Sequence, residues 1–278
     1  MIELILEDLA HVYPGGVRAV DGVSLRIDPG EAVALVGQNG SGKTTLVRHL
    51  NGLLRPSSGR VLIGGVDAAG LRVASLAAQV GLVFQDPDRQ IFAGSVRKEV
   101  EFGPRNVGLR GAALDEAVAG ALNAVGLAGQ EATNPYDLGA ARRKLLAVAS
   151  VLAMRTPVLV LDEPTTGQDR AGVACVRDIV AQAVGEGRTV IAISHDLRFV
   201  AETFGRVVAL RAGRVVLDGP PSKVFGASSW DTLRGTGLEP PTAAVIAERL
   251  GVGPVATEAA LVSAVAANAG AWGQGEAS

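Results

Sequence analysis

The chain has 278 residues, 48% of them hydrophobic and 19% charged, and a formal net charge of −2, which excludes bulk attraction to a nucleic-acid polyanion or an acidic membrane surface. A single cysteine, Cys175, excludes an internal disulfide and fits a reducing cytosol. Mean hydropathy is +0.30, but the longest apolar candidate, Leu145 to Leu161, is broken by Arg155 and Pro157, which argues against a membrane-spanning helix.

The opening Met-Ile-Glu-Leu-Ile-Leu-Glu-Asp is acidic and alternating, unlike a signal peptide. A soluble chain is expected, brought to any membrane by a partner. From Ile2 to Ile27 apolar residues lie between the turn signals Tyr13-Pro-Gly-Gly and Asp28-Pro-Gly, predicting two or three short antiparallel strands. Tyr13 is either an edge-packing residue or a platform for a purine ring.

Glu31–Val36 reads as a buried strand and Lys43–Leu50 as a helix. Between them Gly37, Gln38, Asn39, Gly40, Ser41, Gly42, Lys43 and Thr44 fit the phosphate-binding pattern G-x-x-x-x-G-K-[ST] at every fixed position. Glycines let several N–H groups converge on the β- and γ-phosphates, Lys43 adds a point charge, and the Thr44 hydroxyl suits a Mg²⁺ ion. A nucleotide is therefore expected along Gly37–Thr45, with Thr45 in the first helical turn.

Strand character recurs at Arg60–Gly64 and Val80–Phe84, the latter followed by Gln85. From Val96 to Met154 the pattern is helical, with helices predicted at Val96–Asn106, Leu114–Val125 and Leu138–Met154, an inserted lobe of about residues 86–156. Strands return at Val158–Leu161, Thr189–Ser194, Arg206–Leu210 and Arg214–Leu217; helices at Gly172–Val184 and Leu197–Phe204 separate the first three. The alternation argues an α/β fold with a mostly parallel sheet behind an N-terminal antiparallel β subdomain. Residues 1–225 form the expected main domain. Residues 226–278 form a C-terminal extension with helices at Thr242–Leu250 and Glu258–Ala266, each capped by threonine. The Ala/Gly-rich run Ala267–Ser278 is expected to be disordered.

Ligands of a parallel sheet bind at the carboxyl ends of its strands. The strand Val158–Leu161 delivers Asp162 as a Mg²⁺-side carboxylate and Glu163 as a general base for water. The strand before His195 ends in the same region. A lone histidine is more often structural, but its place beside the other two strand ends favours catalysis. The Gln85 amide oxygen can reach the same metal or water.

Together Gly37–Thr44, Gln85, Leu161-Asp162-Glu163-Pro164, Thr166-Gly-Gln-Asp169 and His195 resemble the Walker A, Q-loop, Walker B, D-loop and switch-histidine motifs of ABC transporter ATPase subunits, over roughly residues 2–225. More narrowly, Gln85 to Phe92, Glu101-Phe-Gly-Pro104 and Leu238-Glu-Pro-Pro241 with its two-helix tail are similar to the ATPase subunits of energy-coupling-factor importers of vitamins and of cobalt or nickel. The resemblance implies a P-loop NTPase (RecA-like) core and hydrolysis of ATP with Mg²⁺. It also implies two chains sandwiching two ATP molecules, and a peripheral place on the cytoplasmic face of the cell membrane. The implied membrane partners are a transmembrane scaffold and a substrate-binding membrane protein. Lys43, Glu163 and His195 are the catalytic candidates, and Thr44, Gln85 and Asp162 the metal ligands.

One element departs from that family. The usual Leu-Ser-Gly-Gly-Gln signature, which caps the opposite chain's ATP, corresponds here to Leu138-Gly139-Ala140-Ala141-Arg142, and Gln168 stands where leucine is common. The serine hydroxyl is gone, and alanine at 140 and 141 is expected to cost about 1–2 kcal/mol wherever φ is positive. A heterodimer with a second ABC ATPase is therefore expected over a homodimer. Other ABC importers or exporters remain alternatives. A non-transport ABC ATPase lacks support, because there is no coiled-coil insertion or basic patch, and the Asp162-Glu163 pair with His195 disfavours a small-molecule kinase.

Overall fold

The computed structural model describes residues 2–272. The chain begins with β1 (Leu4–Val12), β2 (Arg18–Ile27), β3 (Ala32–Val36) and α1 (Lys43–Leu50). Next come β4 (Ser58–Ile63), β5 (Val66–Asp67), α2 (Val73–Ala77) and β6 (Val80–Val83). A helical lobe follows, with α3 (Val96–Asn106), α4 (Gly111–Ala124) and α5 (Ala140–Leu152). The sheet resumes with β7 (Val158–Asp162), α6 (Arg170–Gly185), β8 (Thr189–Ile193), α7 (Leu197–Thr203), β9 (Arg206–Arg211) and β10 (Arg214–Gly219). The remainder is helical: α8 (Pro221–Val224), α9 (Trp230–Arg234), α10 (Thr242–Leu250) and α11 (Glu258–Trp272).

Strand alternation decides the layering. In β3, Val33 and Leu35 enter one core while Ala34 and Val36 enter another; in β8, Ile191 and Ile193 oppose Val190 and Ala192 in the same way. Strands covered on both faces read as unbroken apolar runs, as these do. The first core lies between the six-stranded sheet, the N-terminal sheet and α1, and contains Leu4, Leu6, Ile27 and Leu46. The second packs the sheet against α5 and α6 through Leu146, Val148, Val176 and Ile179. Leu233, Ala244 and Ala256 of the C-terminal segment join that second core.

The large sheet has the order β10-β9-β3-β8-β7-β6, parallel except for the β9–β10 hairpin. The smaller sheet, β2-β1-β4-β5, is antiparallel. Leu35 of β3 pairs with Ile193, Ile193 with Asp162, and Leu161 with Val83. The segments after β3, β8, β7 and β6 therefore leave the same edge side by side, which places residues 37–44, 194–195, 162–163 and 85 together.

Several boundaries differ from the sequence expectation. The short helices α2, α8 and α9 were not foreseen, because four or five residues show no period. Helix α5 starts at Ala140, leaving Leu138 and Gly139 extended. Thr257 does cap α11, its Oγ1 accepting from the Ala260 N–H at 3.2 Å, whereas Thr242 lies inside α10 behind Pro241. The run expected to be disordered from Ala267 is helical as far as Trp272, in keeping with alanine's high helix propensity. The rest of it, 273–278, lies outside the described residues. Among the described residues no helix is long and apolar enough to cross a membrane.

Candidate nucleotide-binding site

Two glycines fix the loop after β3. Gly37 has φ +141°, and a Cβ there would stand 2.3 Å from the Leu210 carbonyl oxygen; Gly42 has φ +103°, and its Cβ would stand 2.2 Å from the Ala19 oxygen. Only glycine fits either position. The loop curls around Lys43, whose Nζ donates to Gly37 O at 2.6 Å, Gln38 O at 2.9 Å and Ser41 Oγ at 3.3 Å. Helix α1 begins without a side-chain cap, so its first N–H groups and positive dipole end serve an anion.

A cavity of about 480 Å³ opens over this loop. Tyr13, Asn39, Gly40, Gly42, Lys43, Thr44, Thr45, Gln85, Asp162 and Glu163 line it. Gly37 and Ser41 are buried beneath it. Gln38 departs from its expected role. Its N–H donates to Thr236 O at 3.0 Å and its side chain lies against Gly237, so it fastens the loop to the C-terminal segment. A variable position of the motif carries no signal for that long-range partner.

Asp162 Oδ2 accepts from Thr44 Oγ1 at 3.1 Å, while Oδ1 is buried without a hydrogen-bond partner. Burial pushes the Asp162 carboxyl above its ordinary value; the Thr44 hydroxyl opposes that and Glu163 adds to it. An unpartnered buried carboxylate oxygen beside a hydroxyl is the oxygen donor set a hard divalent cation prefers, so the residues present fit Mg²⁺. Among the described residues no cluster of three or more His, Cys, Asp or Glu gathers elsewhere as a metal site.

Glu163 is buried and left-handed, with φ +52°, which costs an L-residue about 1–2 kcal/mol. Its N–H donates to Ile193 O at 2.9 Å and holds that backbone. Its Oε2 lies 2.8 Å from His195 Nδ1 and accepts from Thr166 Oγ1 at 3.3 Å. An ionised carboxylate only accepts, so His195 Nδ1 carries the proton. His195 does not line the cavity; its side chain is 63% exposed and bridges to it through Glu163.

Lys144 completes the charge balance, and sequence reading missed it. It is buried in α5 and donates to Thr166 O at 3.1 Å. Burial pushes Lys43 and Lys144 down, with Glu163 and Asp162 opposing in both cases. Two buried lysines thus face two buried carboxylates. The available signal was a lysine on the otherwise apolar face of α5.

The signature segment lies elsewhere. Gly139 caps α5 with no side-chain hydrogen bond, and Ala140 and Ala141 are ordinary helical residues, absent from the positive-φ positions. The strain expected of these alanines is therefore not present; what stands is the missing serine hydroxyl. Ala141 and Arg142 line a separate cavity of about 710 Å³, which shares no lining residue with the nucleotide cavity. Gln168 Nε2 donates to Ala141 O at 3.0 Å, joining the segment after Glu163 to the signature.

The nucleotide cavity offers a polyphosphate cradle, a cation position and a base for water, the equipment of a phosphate-loop nucleoside triphosphatase. The sequence model of the ABC transporter family matches residues 20–166, just over half of the chain, and the chain belongs to that family as an ATPase subunit. It is 43% identical over 244 residues to an ABC transporter ATP-binding protein of Methanosarcina acetivorans, covering 88% of this chain and 39% of that one. It is 39% identical over 252 residues to the energy-coupling factor transporter ATP-binding protein EcfA of Methanothermobacter thermautotrophicus, covering 90% and 80% of the two chains. The solved structure of cbiO1 from Clostridium perfringens, part of the ABC transporter complex cbiONQ, matches with a TM-score of 0.73 at 36% identity. That match covers 84% of this chain and 93% of cbiO1.

Proposed function

We propose that the chain is the ATP-hydrolysing subunit of an energy-coupling-factor importer that drives uptake of a vitamin or a transition-metal ion. Residues 1–225 serve as the ATPase domain and 226–278 as its extension. The importer type rests on the similarity to EcfA and cbiO1, and the observation that carries the two-chain ATPase is the separation of two half-sites: a phosphate cavity, and a signature that touches none of it. A signature so placed serves another chain's ATP.

In this reading Tyr13 stacks on the base and the N–H groups of residues 39–45 hold the phosphates. Thr44 and Asp162, with Gln85, would hold Mg²⁺, which would supply charge neutralisation to the phosphates. The Glu163 carboxylate takes a proton from water as the water oxygen bonds to the γ-phosphorus and the bond to the ADP oxygen breaks. His195 orients Glu163 through its Nδ1–H and lies exposed, toward the opposing chain of the sandwich.

The signature implies that the second ATPase subunit differs from this one. A hydrogen bond to a charged phosphate is worth roughly 1.5–3 kcal/mol, so its absence at Gly139 slows the ATP it caps by ~10–100-fold. A partner with an intact serine would serve the ATP of this chain.

The membrane partners dock at an apolar groove of about 580 Å³ beside Gln90 and Glu99. Phe92 and Phe102 are 61% and 49% exposed at its rim and pack edge to face, 4.8 Å between centroids. Exposed aromatics over an apolar groove suit an amphipathic helix of a transmembrane scaffold on the cytoplasmic face. Phe92→Asp with Phe102→Asp is expected to abolish co-purification with the scaffold while ATP affinity, read by titration calorimetry, stays unchanged. Undiminished co-purification would remove this surface from the coupling route.

A further inference from the structure

His11 and His49 are buried, belong to different elements and play no part in the hydrolytic reading. His49 Nδ1 lies 2.8 Å from Thr45 O. A carbonyl only accepts, so this nitrogen carries the proton. His11 Nδ1 lies 3.1 Å from Arg55 O, so it too carries a proton. The same His11 Nδ1 lies 3.1 Å from His49 Nε2, which must then accept. The three contacts fix one sharing of protons: each ring carries a proton at Nδ1, His49 Nε2 carries none, and the His11 proton is shared between Arg55 O and His49.

This pair closes a circuit around the base end of the cavity. The His11 ring stands edge-on to Tyr13, 4.6 Å between centroids at 76°, and edge-on to His49 at 4.9 Å. The Tyr13 hydroxyl shares a 3.1 Å hydrogen bond with the hydroxyl of Thr45, the residue whose carbonyl anchors His49. The turn after Tyr13 holds its backbone, through Tyr13 N–H to Val17 O at 2.9 Å and Gly16 N–H to Tyr13 O at 3.0 Å, and leaves the ring to the circuit.

We propose that His11 and His49 are positioning residues that hold Tyr13 as the base platform by tying it to the phosphate-loop helix. This rests on the reading of Tyr13 as that platform. The base end and the phosphate end of the site then share one rigid connection, from β1 through the two rings to Thr45.

The His49 end of the circuit admits no further proton. A proton on His49 Nε2 would meet the His11 Nδ1–H, and the Arg55 carbonyl keeps His11 from changing tautomer. Burial holds His49 below the ordinary histidine value, and His11 acts on it in the same direction. The other groups facing the pair are the Tyr13 hydroxyl and Arg55, whose guanidinium is turned to the carbonyls of Ala68 and Leu71. Because the folded value is lowered, the contribution of the circuit is full above about pH 6.5 and is lost as pH falls below it.

Calorimetric titration of the full chain with Mg-ATP and with Mg-tripolyphosphate, which has phosphates but no base, tests this. Tyr13→Ala is expected to weaken ATP about tenfold and to leave tripolyphosphate unchanged. His49→Leu and His11→Phe are expected to weaken ATP about threefold to tenfold with the same selectivity. In the unaltered protein the ratio of the two affinities is expected to hold steady above about pH 6.5 and to fall as pH is lowered below it, and to stay flat in His49→Leu. Histidine variants that lose both ligands equally, or neither, while Tyr13→Ala loses ATP alone, would overturn the positioning role. So would a ratio independent of pH in the unaltered protein, a measurement that does not depend on any variant folding. Tyr13→Ala without effect on ATP would overturn the platform itself, and the positioning role with it.

Discussion

Glu163→Gln is expected to bind ATP as the unaltered chain does and to hydrolyse it at least ~100-fold more slowly. The substitution keeps the volume and the acceptor oxygen that meets His195 Nδ1 at 2.8 Å and Thr166 Oγ1 at 3.3 Å. It also keeps a side chain no worse suited to φ +52° at this position. What it removes is the carboxylate's ability to take a proton from water. Binding without turnover leaves ATP in place, so the variant is also expected to accumulate in an ATP-bound dimer with the second ATPase subunit, visible as their combined mass in light scattering. Turnover close to that of the unaltered chain, measured in the assembled complex, would take the general-base role from Glu163.

Lys43→Met is expected to lower ATP affinity by ~100-fold or more, since hydrogen bonds to a charged phosphate are each worth roughly 1.5–3 kcal/mol. The same substitution is expected to move the melting midpoint by no more than about 4 °C. Lys43 is buried and burial pushes its ammonium down, so its replacement by an unbranched apolar chain relieves a desolvation cost as it removes three contacts within the loop. ATP titration and a thermal melt on the same sample check both halves. A collapse of the melt would make Lys43 a structural residue of the loop rather than a phosphate ligand.

The parallel core was legible because its strands are buried on both faces. Val158–Asp162 and Thr189–Ile193 read as apolar runs for that reason, and the charged residue that ends the first is the one the sheet edge delivers to the cavity. The phosphate loop was legible because its chemistry is local: Gly37 and Gly42 are demanded by clashes with Leu210 and Ala19, and the motif records that demand. What escaped is non-local. Nothing in the order of residues brings His11 to His49, thirty-eight positions away, or Thr236 to the N–H of Gln38. Lys144 was passed over because a lysine in an apolar helix normally reaches solvent. The alanines of the signature were weighed as though their backbone were left-handed, and the start of α5 shows that it is helical.

Hydrolysis across a sandwich of two unlike chains is tested most directly by steady-state ATP turnover of the purified chain, alone and after addition of a second ATPase subunit bearing an intact Leu-Ser-Gly-Gly-Gln. Turnover is expected to rise ~10–100-fold on addition, in line with one hydrogen bond to a charged phosphate. The chain alone is expected to gain by a similar factor when Gly139→Ser is introduced, since Ala140 and Ala141 are already helical. Robust turnover by the chain alone, unchanged by the second subunit and by the restored signature, would contradict it.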